Sequence, residues 1–112
     1  MRTEAAYLRD ILDACFSIAD RVEGFDFESF KSSQMLQDSV HYRPMVIGEA
    51  TRYLSEATQL LMPEIPWPQI KRMRNILVHD YLGVDLVVSW DVVKNHLPQL
   101  VNAIQHALPT ED

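Results

Sequence analysis

The chain has 112 residues, 47% apolar and 23% charged, an ordinary globular balance with mass for one modest core, which excludes extended disorder. No apolar run approaches the roughly 18 residues needed to span a membrane. A net charge of −6 argues against a broadly basic nucleic-acid surface, because affinity for phosphates comes from Lys and Arg.

The amino-terminal stretch MRTEAAYLRDILDA carries acids inside its apolar pattern, which argues against a secretory leader. The lone Cys15 cannot form an internal disulfide, so the expected location is cytoplasmic. Leu8, Ile11, Leu12, Cys15, Ile18, Ala19 and Val22 recur at spacings of three and four, predicting a first helix capped by Thr3 and ended by Gly24. Cys15 then reads as a small buried hydrophobe rather than a nucleophile. DFESFKSS (26–33) predicts a single turn plus connector. A second pattern runs from Met35 to about Met62 through Val40, Ile47, Ala50, Leu54, Ala57 and Leu61, and Pro44 inside it should kink or interrupt the helix.

The three prolines of MPEIPWPQI break the chain. Pro68 suits the first turn of a helix that runs to about Tyr81 and is stopped by Gly83. Asp85 offers an N-cap for Leu86 to about His96, and Pro98 opens a final helix ending near Leu108. VDLVVSW (84–90) is β-branched enough for a strand, but a lone strand has nothing to pair with, so helix is expected. No internal repeat or low-complexity segment is present. The expectation is one domain over residues 1–112, all-α, an up-and-down bundle of four main helices with short extras.

One helix of this core carries polar chemistry: RMRNILVHDY, Arg72 to Tyr81, with Lys71 beside it. At about 100° per residue, Asn75 and His79 lie about 40° apart, Arg74 and Tyr81 about 20° apart, and Arg74 and His79 about 140° apart. One helix cannot close all three groups on a single atom, whereas two copies across a two-fold axis can, which points to a homodimer. The blander reading makes Arg74 and Tyr81 surface residues and His79 a core histidine satisfied by a backbone carbonyl. His41, His96 and His106 show no paired-ligand spacing, so no metal site is expected, and Gly24, Gly48 and Gly83 form no phosphate-cradling loop. Trp67 and Trp90 read as packing anchors, and Asp10/Asp13 and Glu23/Asp26 as a solvated face.

Arg74, His79 and Tyr81 spell R-x4-H-x-Y, which resembles the signature of the HepT-like branch of the HEPN-domain proteins. YLRDIL, FDFESF, QDSV, IGEA, PEIPW, MRNILVHDYLGVD and VVSW fall in that family's order, so the resemblance covers nearly the whole chain. Pro44 is the clearest departure. The resemblance implies a helical homodimer whose paired motifs line a metal-free, cofactor-free RNA-cleaving cleft. It also implies the toxin role in a two-gene module whose antitoxin is an MntA-like minimal nucleotidyltransferase, with higher hetero-oligomers of the two open. Carried over by residue, Arg74 and His79 are the catalytic pair and Tyr81 accepts AMP.

The residue types suit that chemistry. Histidine titrates near neutrality and can take the 2′-OH proton, while the planar guanidinium matches phosphoryl oxygens. Asn75, one turn before His79, can position the ribose or orient the imidazole. AMP on Tyr81 adds a negative phosphodiester and a bulky nucleoside that repel RNA. A rival reading, favoured by the acidic charge, is a non-catalytic partner that positions substrate for its nucleotidyltransferase.

Overall fold

The Thr3 hydroxyl accepts the Ala6 amide at 3.1 Å, and α1 runs Glu4–Val22 until Gly24 adopts a left-handed φ of 82°. The structure, a computed structural model, describes residues 2–108. Asp26 caps α2 (Phe27–Ser32) by accepting the Ser29 amide at 2.8 Å, and Ser33 caps α3 (Gln34–Thr51). Ser55 caps the short α4 (Glu56–Leu60), and Pro68 sits in the first turn of α5 (Trp67–His79), where its missing N–H costs nothing. A 3₁₀ turn (Tyr81–Gly83) leads to α6 (Leu86–Asp91), which Asp85 caps, then a π-helical turn (Val92–His96) and α7 (Leu97–Ala107). The described residues contain no strand, and VDLVVSW leads into and largely forms α6, so the all-α expectation holds.

Four boundaries differ from the sequence expectation. α3 passes through Pro44 without interruption: Pro44 is buried in the packed face, and packing outweighs the loss of one ladder bond. The long second pattern divides at Thr51, whose hydroxyl turns back to the Gly48 carbonyl at 2.7 Å, and Ser55 starts α4 afresh. α5 stops at His79, because Asp80 leaves the helical region (φ −150°, ψ 59°). Gly83 does not end it with a positive φ. Finally, α6 and α7 are joined by the π turn rather than by a break. The Leu97 amide reaches the Val92 carbonyl, which widens the helix just before Pro98.

α3 is the centre of the bundle, packed against α1 on one side and α5 on the other, while α7 closes over α1. Ile11 and Ile18 of α1, Val40 and Ile47 of α3, and Leu100 and Ile104 of α7 are at most 1% exposed and form the core. Each such side chain contributes about 1.5–3 kcal/mol on leaving water. Phe30 of α2 stacks on Trp90 at 4.9 Å and meets His41 edge-on. The Trp67 indole N–H donates to the carbonyls of Gln59 and Met62, fastening the start of α5 to α4. Both tryptophans are packing anchors, as expected. Cys15 is buried and its thiol is pushed up to about 12, so it is inert filling. No helix among the described residues is long and apolar enough to cross a membrane.

Candidate active site

α5 turns Leu77 into the core and leaves Lys71, Arg72, Asn75, Val78 and His79 exposed. Arg74 lies at the edge of the buried face, where α5 comes close to α3. That approach needs Gly48, since a Cβ there would lie 2.3 Å from the Arg74 Cβ. Arg74 Nη2 donates to Glu49 Oε2 at 2.8 Å and Nη1 donates to Asn75 Oδ1 at 3.0 Å. Glu49 also accepts from Arg52 at 2.9 Å. The guanidinium plane is thus fixed at two corners, and its Nε is buried without a partner.

His79, the last residue of α5, is exposed and makes no hydrogen bond or ion pair among the described residues. It is not a core histidine. The buried histidine is His41, one turn after Asp38 on α3, and together these two hold Tyr81. The Tyr81 hydroxyl donates to Asp38 Oδ1 at 2.7 Å, and His41 Nδ1 lies 2.9 Å from the same oxygen. His41 Nε2 lies 3.1 Å from the hydroxyl of Ser89, which is fully buried. A phenol has one proton to give, so with it on Asp38 the Nδ1–H of His41 donates to Tyr81, and Nε2 accepts from Ser89 when that hydroxyl turns from the Leu86 carbonyl 3.3 Å away. Burial pushes the His41 pKa down, in keeping with a neutral ring. Burial, then the Asp38 bond, pushes the Tyr81 pKa up.

The structure separates what helical periodicity placed together. Tyr81 has left α5, so it does not share a face with Arg74. Their partners on α3, Asp38 and Glu49, stand eleven residues apart, roughly 16 Å at about 1.5 Å per residue. Arg74, Asn75 and Glu49 form one cluster, Tyr81, Asp38, His41 and Ser89 a second, and His79 stands exposed at the end of α5. Sequence reasoning missed Glu49, Asp38, His41 and Ser89. The available signal was polar residues at short spacings along α3: Asp38 and His41 one turn apart, and Glu49 beside a glycine. An apolar cleft of about 390 Å³ opens between α5 and α6–α7, lined by Pro44, Ile47, Met73, Ile76, Val88 and Val92 among others, and none of Arg74, His79 and Tyr81 lines it. Among the described residues no three His, Cys, Asp or Glu side chains group as a metal site.

Comparison with known proteins gives this helical domain a family. The family described as "Ribonuclease HepT-like" matches residues 11–107, and the chain belongs to that HepT-like ribonuclease family. It is 37% identical over 99 residues to the "Probable ribonuclease HepT" of Thermococcus cleftensis, covering 88% of this chain and 90% of that one. A "Putative RNase" of Methanocaldococcus jannaschii is 30% identical over 104 residues, covering 93% and 95% of the two chains. One of the same description from Caldanaerobacter subterraneus is 31% identical over 111 residues, 99% of both. No solved structure matches.

Proposed function

We propose that this protein is a cytoplasmic, metal-independent endoribonuclease that acts as the toxin of a two-component module and is silenced when an MntA-like minimal nucleotidyltransferase transfers AMP to Tyr81. The observation that carries the reading is the complete Arg74–His79–Tyr81 motif inside the region shared with the ribonuclease family. His79, unpartnered and facing solvent, is free to take the proton of a ribose 2′-OH. Arg74, oriented by Glu49 and Asn75, keeps N–H groups to hold charge on the phosphate.

The working unit is a homodimer. Arg74 lies toward α3 while His79 points away, so one copy leaves the pair apart and a second copy facing the same helix end completes a cleft. Apolar side chains around that end support such a contact: Leu82 is 97% exposed, and Val78 and Val87 are exposed beside it. Exposed Lys71 and Arg72 give α5 local positive charge on an acidic body, which suits weak, salt-sensitive RNA binding.

A second reading, a non-catalytic partner of the nucleotidyltransferase, draws on the Arg74–Glu49 ion pair, which also serves simply to tie α5 to α3. Purified, unmodified protein incubated with RNA, with His79→Ala alongside, separates the two. Cleavage lost in the variant supports the nuclease; no cleavage by the unmodified dimer supports the partner.

A further inference from the structure

We infer that Asp38 is the proton acceptor that makes the Tyr81 hydroxyl a nucleophile toward the α-phosphate of a nucleoside triphosphate, and that His41 is the positioning residue that holds its oxygen. The inference rests on Tyr81 being the AMP acceptor and adds the residues of this chain that ready it.

The geometry is that of a hydroxyl aimed for attack. A phenol oxygen has one O–H and two lone pairs. Here the O–H points at Asp38 (2.7 Å) and His41 Nδ1–H occupies one lone pair (2.9 Å), leaving one lone pair for phosphorus. The oxygen cannot swing, because His41 is 1% exposed and braced by the fully buried Ser89. The ring of Tyr81 also meets His41 edge-on, 5.4 Å between centroids. On the other side, Asp38 and Leu82 are exposed, so a nucleotide carried by a second protein can approach.

The proton has a route. Asp38 Oδ1 takes both Tyr81 and Gln34, while Oδ2 has no partner among the described residues. At rest the proton stays on tyrosine, since Tyr81 titrates above its ordinary value and the bond from Tyr81 holds Asp38 below its own. As the Tyr81 oxygen bonds to the α-phosphorus its proton affinity collapses. The bond from phosphorus to the bridging oxygen breaks, pyrophosphate leaves with the electron pair, and the proton passes to Asp38 and then to water. Among the described residues no such carboxylate accepts from the other tyrosines; Tyr7 and Tyr53 stack on each other instead.

The test is labelled AMP transfer from ATP and magnesium by the cognate nucleotidyltransferase to the full chain. Wild type should be labelled at Tyr81. Asp38→Asn should lose about 10²-fold in kcat with its KM as acceptor changed only a few-fold, and Asp38→Glu should recover part of the rate. A fluorinated tyrosine at position 81, with its more acidic phenol, should restore the Asp38→Asn rate at least tenfold, which a structural role would not do. An Asp38→Asn rate equal to wild type, a loss confined to KM, or no rescue by the fluorinated ring overturns the proposal. A wild-type chain that takes no label overturns the acceptor reading and this inference with it.

Discussion

Gly48 on α3 faces Arg74 on α5 across a gap that a methyl group cannot enter: a Cβ on Gly48 would sit 2.3 Å from the Arg74 Cβ and 2.7 Å from its Cγ. The Cβ is fixed by the backbone, so no side-chain rotation relieves the contact. Gly48→Ala gains about 1 kcal/mol of helix propensity but forces the two helices apart, which costs about 1–3 kcal/mol or more. A net loss of up to about 2 kcal/mol is expected in urea unfolding, together with weaker RNA cleavage as Arg74 is displaced from Glu49. An unchanged midpoint would show that the helix pair is looser than this contact requires.

His79→Ala should uncouple activity from stability. The imidazole is exposed and unbonded among the described residues, so its removal shifts stability by less than about 0.5 kcal/mol. Removing the proton acceptor should lower RNA cleavage about 10²–10⁴-fold and end growth inhibition. Arg74→Ala should also abolish toxicity at a cost of about 0–1 kcal/mol, since Glu49 is partly exposed. Arg74→Lys keeps the charge but loses the planar fork, and should fall between. Toxicity that persists in either alanine variant removes that residue from the catalytic pair.

Cleavage should proceed undiminished in EDTA, since the proposed chemistry needs only a base and a cation from the protein. Activity that disappears with the chelator and returns with magnesium contradicts the metal-free mechanism.

Much of this arrangement was legible in the sequence because it rests on local signals. Thr3 and Asp85 act as caps, Gly24 takes the positive φ, and the α1 apolar stripe is the core face. What periodicity could not show is where a helix ends for tertiary reasons. Projecting α5 on to Tyr81 put that residue beside Arg74, whereas the chain breaks at Asp80 and delivers Tyr81 to α3. Pro44 looked like an interruption because the local rule counts one lost bond and not the packing around it. Asp38 and His41 escape the sequence for a related reason: their partner is forty or more residues away in the chain, and no spacing within α3 announces it.

His41 also sets a pH dependence. Burial lowers its folded pKa below the ordinary 6.5, so the folded state resists a proton that the unfolded chain accepts. Its contribution is therefore fully present above about pH 6.5 and is lost as pH falls from there through the lowered folded value. The carboxylates held below their ordinary value of 3.8, Asp26, Asp38 and Asp91, lose their contributions in a separate window, only as pH drops below about 4. Thermal melts from pH 8 to 5 should show a decline that His41→Gln flattens. A flat profile in the unaltered protein would mean that His41 takes a proton as readily in the fold as in the unfolded chain.

AMP transfer to Tyr81 should also loosen the structure around it. The modification replaces the O–H by an O–P bond, so the donation to Asp38 ends. It also sets a phosphodiester anion beside that carboxylate, and the two repel. The 3₁₀ turn carrying Tyr81 then keeps only the His41 bond to α3, and the end of α5 that presents His79, two residues upstream, is held less firmly as RNA meets a negative, bulky obstacle. Cleavage should fall for both reasons. Tyr81→Phe removes the acceptor and leaves the buried His41 N–H unsatisfied, at a cost of about 1–3 kcal/mol. It should take no label, although the antitoxin is present, and stay toxic in cells where the unaltered protein is silenced. Tyr7, Tyr42 and Tyr53 should remain unmodified. Intact mass followed by peptide mapping decides the site, and RNA cleavage by the modified protein decides the consequence. An adduct on another residue, or a Tyr81→Phe protein still neutralised through nucleotidyl transfer, would defeat the prediction.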